Sequence, residues 1–481
     1  MDTFLDLRRY GDAPAVVDDE GVVYSYERLH RLVSWFGGLL PTGRRSLVLV
    51  RTANRIESVI GFLGTIAAGH VVLPVDHSVD RQQVRRLVDA YRPDHVWSED
   101  TAPDGAPALG PYALVPTGHR AEPEPHPALS AVLLTSGSTG SPKGVRLTKD
   151  NFLANAASIA GYLELEQGER AVTSLPMSYS YGLSVITSHL HAGATVLLTD
   201  RSLVSRGFWD FFREHGATSF AGVPYTYEML DALRFTNLEL PSLRSFTQAG
   251  GRLAPDAVRR YAAEACRRSA RFYVMYGQTE ATARISYWRA DLHPDRGEGI
   301  GTAIPGGELW LTDARGRPVT TPGEVGHLHY AGPNVMLGHA AGRADLARGD
   351  ELRGELDTGD LARVDEEGHY VVVGRAGRFL KLSGVRVDLD EVERRLAEQG
   401  FRCAVAGRDE ELAVAVEDGG APGRGALDTA VRKYLRQAFH IDPAQVRLVA
   451  VERISRATNG KVAYGQIFGS ESEGWVWTPT P

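Results

Sequence analysis

Short apolar runs alternate with amphipathic helix patterns through the first half of the chain. Residues Ser46–Val50 have the pattern of a buried strand, Ile56–Ala68 that of a helix and Val71–Val75 that of a second strand, with Gly69 as a helix stop. The same order recurs over Thr195–Leu198 (strand), Leu203–His215 (helix) and Ser219–Val223 (strand). Strands separated by helices indicate parallel pairing with crossovers, so the sequence predicts an α/β fold.

The pattern of predicted elements changes after the α/β region. From Leu309 to Val373, short strand patterns are separated by turn signals, which predicts a β-rich subdomain. The last hundred or so residues predict a small α+β domain with the following elements: helices Asp388–Gln399 and Leu427–Phe439, and strands Cys403–Ala406 and Leu412–Glu417. We therefore predict a large N-terminal domain over residues 1–374, a hinge over 375–378 and a small mobile C-terminal domain over 379–481, because glycines at 374 and 377 allow a swivel.

Composition excludes several classes of function. Lysine and arginine total 53 against 60 acidic residues, and no long basic run is present, which disfavours a nucleic-acid partner. No apolar stretch is long enough to span a membrane, and the N-terminus has no signal-peptide pattern. The two cysteines, Cys266 and Cys403, lie far apart, which fits a reducing compartment. These features predict a cytoplasmic protein without a membrane partner.

The strongest chemical signal is the segment Leu134-Thr-Ser-Gly-Ser-Thr-Gly-Ser-Pro-Lys-Gly-Val145. An apolar run, Ser130–Leu134, leads into a loop rich in small residues, and Lys143 follows. Small residues allow backbone N–H groups and hydroxyls to surround phosphate oxygens, and the lysine adds positive charge. The spacing of a Walker A loop is not met. A flexible glycine–serine linker is the alternative interpretation of this segment alone.

Further motifs follow in a fixed order along almost the whole chain. They are Ala67–Asp76, Gln248-Ala-Gly-Gly-Arg-Leu253, Tyr276-Gly-Gln-Thr-Glu280, Thr358-Gly-Asp360, Gly374-Arg375 with Lys381–Val387, and Ser455-Arg-Ala-Thr-Asn-Gly-Lys461. Together with the phosphate loop, this series resembles the adenylate-forming superfamily, which comprises acyl-CoA synthetases, adenylation domains of nonribosomal peptide synthetases and luciferases. The resemblance implies a bacterial AMP-dependent acid ligase.

The resemblance also implies a site for ATP and Mg²⁺. Lys143 and the loop residues would bind the phosphates, the loop residues being Thr135, Ser136, Gly137, Ser138, Thr139 and Gly140. Gly250, Gly251, Tyr276 and Gly277 would surround the adenine, since an aromatic face stacks on a flat heterocycle. Thr279 would bind phosphate, and Glu280 would hold Mg²⁺ through a hard oxygen ligand. Asp360 would accept the ribose hydroxyls, and Arg375 would contact ribose or phosphate.

The implied mechanism follows from charge. A carboxylate attacks the α-phosphate of ATP while pyrophosphate leaves, so two anions approach each other and preorganised cations must stabilise the charge. Lys461 would bridge the carboxylate and the α-phosphate. Members of the superfamily then rotate the small domain, and the loop with Lys381 and Gly384 replaces the lysine for the thiol step. Many relatives carry Asp or Lys at the hinge where this chain has Gly377, so an altered second step stays open.

Candidates for the acid pocket come from two segments and from the predicted adenine loop, Gln248–Leu253: Tyr179, Tyr181, Gly182, Gly222, Val223, Tyr225, Thr226 and Gly250. Each of them could equally be a packing residue. Amino-acid-activating domains place an acidic residue where this chain has Ser180, which is a poor counterion for an ammonium group. The sequence therefore predicts a carboxylic acid without a free α-amino group.

The sequence constrains the acceptor of the acyl group less than it constrains the acid. We predict an acid–thiol ligase that uses CoA or the phosphopantetheine of an acyl carrier protein, which would act in trans because no carrier domain is recognisable in the sequence. Transfer to an amine or other nitrogen nucleophile is the first alternative. A non-catalytic nucleotide-binding protein is the second, although Lys143, Glu280, Asp360 and Lys461 are all present.

Overall fold

The computed structural model describes residues 6–99, 104–119, 122–135, 143–376, 378–382, 385–418, 424–457 and 460–469. It divides into two compact units. The first unit holds the described residues up to Thr135, from Lys143 to Leu309 and from Tyr330 to Leu356; the second holds Trp310–His329 and the described residues from Asp357 onward. The predicted boundaries at 374 and 379 and the hinge between them stay predictions, and Gly377 lies outside the described residues.

Strands and helices alternate along most of the chain. The strands are β1 Pro14–Val17, β2 Val23–Ser25, β3 Leu47–Thr52, β4 Val71–Asp76, β5 His95–Ser98, β6 Ala108–Leu109, β7 Tyr112–Pro116, β8 Leu129–Thr135, β9 Lys143–Thr148, β10 Arg170–Val172, β11 Thr195–Leu197, β12 Ser219–Gly222, β13 Ser245–Gln248, β14 Arg271–Tyr276, β15 Ser286–Arg289, β16 Thr302–Ala303, β17 Glu308–Thr312, β18 Val325–Ala331, β19 Gly338–Ala340, β20 Glu355–Val364, β21 Tyr370–Arg375, β22 Phe379–Leu382, β23 Val385–Asp388, β24 Cys403–Arg408, β25 Glu411–Glu417 and β26 Val446–Val451. The α-helices are α1 Tyr26–Leu39, α2 Ile56–Ala67, α3 Arg81–Tyr91, α4 Lys149–Tyr162, α5 Ser180–His191, α6 Arg206–Glu214, α7 Pro224–Ala232, α8 Pro255–Arg268, α9 Leu389–Glu398, α10 Arg424–Phe439 and α11 Tyr464–Phe468.

Two large sheets build the first unit. One has the order β16-β15-β14-β13-β12-β10-β11-β1-β2, and its strands from β14 to β1 pair in parallel. The other has the order β19-β9-β8-β4-β3-β5-β7-β6, with parallel pairing among β8, β4, β3 and β5. Both central regions are parallel because helices connect successive strands, as the alternating sequence pattern predicts.

One hydrophobic core joins these sheets. It contains residues from strands of both sheets, such as Val48 and Val196, together with Phe36, Ile60 and Leu183 from the helices between them. A second core, rich in aromatic rings, covers the other face of the nine-stranded sheet through α6, α7 and α8. The parallel strands are therefore covered on both faces, which explains their continuous apolar sequences.

Smaller sheets make up the rest of the chain. The order β17-β18-β20-β21 forms a four-stranded sheet, β22 and β23 form a hairpin, and β24-β25-β26 form a three-stranded sheet with α9 packed against β24. Helix α9 follows Asp388, whose carboxylate accepts hydrogen bonds from the backbone N–H groups of Asp390 and Glu391 at 2.9 and 3.1 Å. This side-chain cap is the reason that the acidic start of the predicted helix is stable.

The predicted elements are present with small shifts at their ends. Helix α2 ends at Ala67, one residue before its predicted end, and Gly69 follows with φ +80°. Helix α6 begins at Arg206 rather than Leu203, because the Ser205 side chain accepts a hydrogen bond from Phe208 N and caps the helix there. Within the described residues, no helix combines the length and apolar character needed to cross a bilayer.

Arg146 on β9 is fully buried and fastens a distant segment to the second sheet. Its guanidinium donates to the carbonyl oxygens of His339, Gly349 and Leu337 at 3.2–3.3 Å and to that of Arg348. Glu351 lies 3.0 Å from Nη2 and supplies the counter-charge. The guanidinium thus satisfies carbonyl groups that would otherwise be buried without partners.

We expect Arg146→Met to lower the free energy of unfolding by about 3–5 kcal/mol, because four carbonyl groups lose their donor and Glu351 loses one of its two arginine partners. Urea denaturation followed by circular dichroism measures this change. Arg85→Met, at an exposed position of α3, is the matched control and should change stability by less than about 0.5 kcal/mol. Equal effects of the two substitutions would contradict the role assigned to Arg146.

Candidate active site

Three neighbouring parallel strands end at one edge of the nine-stranded sheet. Gly222 at the end of β12 pairs with Gln248 at the end of β13, and Tyr276 ends β14. The carboxyl ends of parallel strands are where α/β sheets bind ligands. The predicted adenine residues and the predicted pocket residues therefore extend from the same edge.

The adenine loop after β13 depends on close backbone packing. Gly250 has φ +81°, and a Cβ there would lie 2.5 Å from the Tyr179 hydroxyl oxygen and 3.1 Å from Val223. The buried Gln248 donates from Nε2 to the Gly251 carbonyl oxygen at 2.7 Å, which holds the loop in place. A side chain at position 250 would therefore disturb both the loop and the Tyr179 ring.

The two predicted pocket tyrosines lie at the start of helix α5, Tyr179 just before its first residue and Tyr181 in its first turn. The rings of Tyr179 and Tyr181 meet edge to face, with centroids 6.3 Å apart. The Tyr181 hydroxyl and Thr247 Oγ1 on β13 are 2.6 Å apart. Burial raises the pKa of Tyr179 to about 12, so this phenol is neutral at physiological pH. Gly182 has a packing role, because a Cβ there would lie 2.2 Å from the Pro176 carbonyl oxygen.

A cavity opens beside this helix. It is lined by residues of α4, α5 and the three parallel strands, with their adjoining loops: Ile159, Leu163, Leu165, Tyr181, Ser184, Val185, Ser188, His189, Ser219, Phe220, Ala221, Ser245, Thr247, Met275 and Arg284. Of the predicted pocket residues, Tyr181 lines it, while Tyr225 is half-buried on α7 and stays a prediction with the rest. Positions 181, 184, 185 and 188 share one face of α5, and this helical spacing was the signal that could have identified them from the sequence.

The two halves of the candidate site are joined by one hydrogen bond. Ser180 Oγ on α5 lies 3.1 Å from Thr279 Oγ1, in the turn that follows β14. Ser180 is buried, and Thr279 is half-buried. The helix that lines the cavity is thus tied directly to the threonine predicted to bind phosphate.

The turn from Thr279 to Arg284 has a strained backbone. Thr282 has φ +57° and Ala283 φ +120°, which are unusual values for residues with a Cβ. The nearly fully buried Asn334 fastens this turn: its Nδ2 donates to the carbonyl oxygens of Ala281 and Arg284 at 2.7 and 2.8 Å. Tyr330 donates its hydroxyl to Asn334 Oδ1 at 2.7 Å. Sequence reasoning missed Asn334, because it lies about fifty residues from the turn it supports.

Glu280 fits the metal role that the sequence predicts for it. Its carbonyl oxygen accepts from Met336 N at 2.9 Å, which fixes the backbone. The side chain is half-buried, and no described residue of the first unit forms an ion pair with it. A half-buried carboxyl group on a fixed backbone is a suitable ligand for a hard divalent cation.

The phosphate loop is described only at its two ends. Thr135 ends β8 and pairs with Lys143 at the start of β9, and the Thr135 hydroxyl donates to the Lys143 carbonyl oxygen at 3.2 Å. Both residues are half-buried. Ser136, Gly137, Ser138, Thr139 and Gly140 lie outside the described residues.

In the second unit, the predicted ribose residues lie next to each other. Asp360 on β20 pairs across the sheet with Arg375 on β21, and their side chains form an ion pair with Nε and Oδ1 3.1 Å apart. Asp360 is 2% exposed, and its backbone N–H donates to Thr358 Oγ1 at 3.1 Å. The sequence prediction named both residues without predicting that they pair.

Two predicted site lysines of the second unit are exposed, namely the adenylation lysine Lys461 and Lys381 of the thiol-step loop. Lys461 follows a tight turn, where its carbonyl oxygen accepts from Ala457 N at 2.8 Å and Gly460 has φ +79°. Lys381 lies on β22, and its backbone N–H donates to the Asp409 carboxylate at 2.8 Å. Gly384 lies outside the described residues.

A buried ion-pair network is centred on Arg378, the last residue of the predicted hinge. Arg378 is 5% exposed, contacts Asp390 and Glu393, and donates from Nη2 to the Tyr464 hydroxyl oxygen at 2.7 Å. Burial disfavours its charge, but Glu393, Tyr464 and Asp390 together raise the pKa of Arg378 well above its ordinary value. Tyr464 lies three residues after Lys461, so this network positions the chain that carries the lysine.

Comparison with known proteins identifies the family. A family model described as AMP-binding enzyme matches residues 5–339. The chain belongs to the AMP-binding enzyme family. This result confirms the predicted superfamily, and the matched region contains the phosphate loop, the adenine loop and the Tyr276–Glu280 motif.

Individual relatives in this family differ in length and in the activity for which they are named. The chain is 30% identical over 467 residues to a probable non-canonical nonribosomal peptide synthetase, CymA, of Salinispora arenicola, covering 94% of this chain and 6% of that protein. It is 28% identical over 419 residues to an L-proline–[L-prolyl-carrier protein] ligase of Pseudomonas fluorescens, covering 81% of this chain and 82% of that ligase. The chain thus corresponds to a small part of one relative and most of the other.

The fold also has a solved counterpart. The o-succinylbenzoate CoA synthetase MenE of Bacillus subtilis, in complex with its acyl-adenylate intermediate, superposes with a TM-score of 0.77 at 19% identity, covering 97% of this chain and 98% of that one. The predicted fold class, with its large N-terminal and small C-terminal domain, is confirmed by this likeness. The match to this family model also confirms that the chain is an AMP-binding enzyme, as the sequence predicts.

We expect Asn334→Ala to lower the free energy of unfolding by about 1–3 kcal/mol, because the carbonyl groups of Ala281 and Arg284 lose a buried donor. Urea denaturation measures the change. Asn237→Ala, at an exposed position, is the control and should be close to neutral. An Asn334→Ala variant as stable as this control would show that Asn334 does not fasten the turn.

Proposed function

We propose that this chain activates a carboxylic acid with ATP as an acyl-adenylate, releases pyrophosphate, and transfers the acyl group to a thiol of CoA or of a carrier protein. The observation that carries the proposal is the 3.1 Å contact between Ser180 Oγ and Thr279 Oγ1. It joins the helix that lines the cavity to the turn with the phosphate and metal residues. An acid in this cavity and a nucleotide at the strand edge would share one reaction centre.

Cations supply the catalytic effect in this proposal. Lys143 and the phosphate loop hold the triphosphate, and Lys461 stabilises the negative charge that develops as the carboxylate attacks the α-phosphate. Asp360 and Arg375 bind the ribose, and Tyr276 stacks on the adenine. Mg²⁺, when bound by Glu280, would neutralise phosphate charge. The half-buried Glu280 carboxylate, with no ion-pair partner among the described residues of its unit, supports this assignment.

The proposed acid lacks a free α-amino group. No Asp or Glu is among the described residues that line the cavity, and Arg284 places a positive charge there instead. Ser180 is uncharged, and its hydroxyl is hydrogen-bonded to Thr279, so it supplies no counter-charge to an ammonium group. The related prolyl ligase is named for an amino-acid substrate, L-proline. The proposal therefore rests on the residues of this cavity and not on that similarity.

The thiol acceptor is proposed from the relatives and from the predicted loop with Lys381 and Gly384. Two relatives are named for thiol acceptors, one a CoA synthetase and the other a carrier-protein ligase. A nitrogen acceptor would give the same pyrophosphate release but a product whose formation does not depend on a thiol. Product formation with and without CoA or a phosphopantetheinylated carrier protein distinguishes the two.

We expect hydroxylamine-trapped pyrophosphate release with acids that lack an α-amino group and little release with their amino counterparts. The panel contains aryl, short aliphatic, long aliphatic, β-amino and α-amino acids, and L-proline with cyclopentanecarboxylate serves as a matched pair. A charge without a partner in the cavity should cost the amino acid at least about tenfold in kcat/KM. Preferred use of L-proline would overturn the proposal on the acid, and no release with any acid would overturn the activity.

We expect Lys461→Ala to reduce pyrophosphate release at least about a hundredfold, because the variant lacks the cation at the attacking carboxylate. Lys381→Ala should retain pyrophosphate release and lose thioester formation. Lys433→Ala, at another exposed position of the second unit, should retain both steps. Turnover of Lys461→Ala at the wild-type rate would exclude this mechanism.

A further inference from the structure

Arg284 is a buried cation at the wall of the acid cavity, and neither the sequence motifs nor the proposed reaction assigns it a role. It is 2% exposed and lies at the end of the turn that Asn334 fastens. Its guanidinium carbon is 4.0 Å from the centroid of the Tyr181 ring, so the two side chains stack. The position of the charge is therefore fixed on both sides, by the turn and by the ring.

Most of the hydrogen-bonding capacity of Arg284 is unused. A guanidinium carries five N–H donors. Nη1 donates to the Ala283 carbonyl oxygen at 3.3 Å, the Tyr162 hydroxyl is a further neighbour, and Nε is buried without a partner. None of the described residues that line the cavity is acidic. A buried charge in this condition is unfavourable until an anion pairs with it.

Several other polar groups of the cavity already have hydrogen-bond partners. Ser184 and Ser188 donate their hydroxyls to the carbonyl oxygens of Tyr181 and Val185 on their own helix, at 2.7 and 3.2 Å. Tyr181 and Thr247 bond each other. His189 donates from Nδ1 to the Val185 carbonyl oxygen at 2.8 Å, which leaves Nε2 as an acceptor without a partner. Arg284 is thus the only cation among the described lining residues, and its donors are available.

We propose, on the basis of the proposed function, that the substrate is a small dicarboxylic acid, one carboxylate being adenylated and the other bound by Arg284. The planar guanidinium matches a carboxylate with two parallel N–H···O bonds, which a point charge such as lysine cannot reproduce. The cavity beside Arg284 is small, about 20 Å³, so a bound acid must displace lining side chains. A short diacid displaces fewer of them than a long one.

The test compares acids that differ only in the distal group. Pyrophosphate release is measured with malonate, succinate and glutarate, with their monoamides, and with the monoacids of equal length. We expect at least one diacid to exceed its monoamide by about 10- to 100-fold in kcat/KM, the range for a lost charged hydrogen bond. The difference should appear chiefly in KM, because the distal group does not react.

Two substitutions then assign this preference to Arg284. Arg284→Gln should lower kcat/KM for the diacid by a larger factor than for the monoamide, because only the diacid loses a charged partner for its distal group. Arg284→Lys should keep part of the preference. Arg259→Gln, on the exposed face of α8, should change neither. Thermal unfolding of each variant reports whether the fold is intact.

The outcomes separate this inference from the proposed function. Equal use of diacids, monoamides and monoacids, or an equal loss with all three in Arg284→Gln, would overturn the assignment of Arg284 and leave adenylation standing. Preference for an acid whose distal group is neutral would also overturn it. Pyrophosphate release with none of the acids, including the monoacids, would contradict the proposed function itself.

Discussion

The parallel pairing of β12, β13 and β14 is the constraint on which the candidate site depends. Their hydrogen-bonded register brings Gly222, Gln248 and Tyr276 to one edge, although these residues lie about 25 residues apart along the chain. Crossover helices place the next strand in the same direction each time, so every loop that follows a strand emerges on the same side. The predicted adenine loop, the Tyr276–Glu280 motif and the cavity beside α5 are consequences of this arrangement.

Buried polar groups hold the loops that the sheet positions. Asn334 supplies donors to a turn whose backbone angles are unfavourable, and Arg146 supplies donors to the neighbouring segment through four carbonyl groups. In the second unit, Arg378 connects Glu393 and Tyr464 close to Lys461. Each of these side chains pairs with groups that are distant in sequence. Removing any of them leaves several buried partners without a hydrogen bond, so their effect on stability exceeds that of a single contact.

Two side chains support the proposed preference for an acid without an α-amino group. Ser180 stands where the resemblance predicts an acidic residue in amino-acid-activating domains, and its hydroxyl lies 3.1 Å from Thr279 Oγ1. Arg284 is buried at the cavity wall, against the Tyr181 ring. The serine removes an attraction for an ammonium group, and the arginine adds an attraction for an anion. Both features act in the same direction on the choice of substrate.

The sequence by itself determined the α/β class, the order of the motifs and the residues predicted to bind ATP. These features are local: a glycine loop, a capped helix or a strand of β-branched residues has a signature within a few neighbouring positions. The phosphate-loop residues from Ser136 to Gly140 and Gly384 remain sequence predictions, because they lie outside the described residues. The spacing of Tyr181, Ser184 and Ser188 on α5 is a local signal of the same kind.

Only the tertiary structure decided which side chains share the acid cavity and how they are paired. Tyr181, Thr247, Met275 and Arg284 come from four separate elements, and nothing in their local sequence shows that they meet. The same holds for Asn334 beneath the turn and for Asp360 beside Arg375. Burial and hydrogen-bond satisfaction are properties of neighbours in space, and a side chain acquires those neighbours only when the chain has folded.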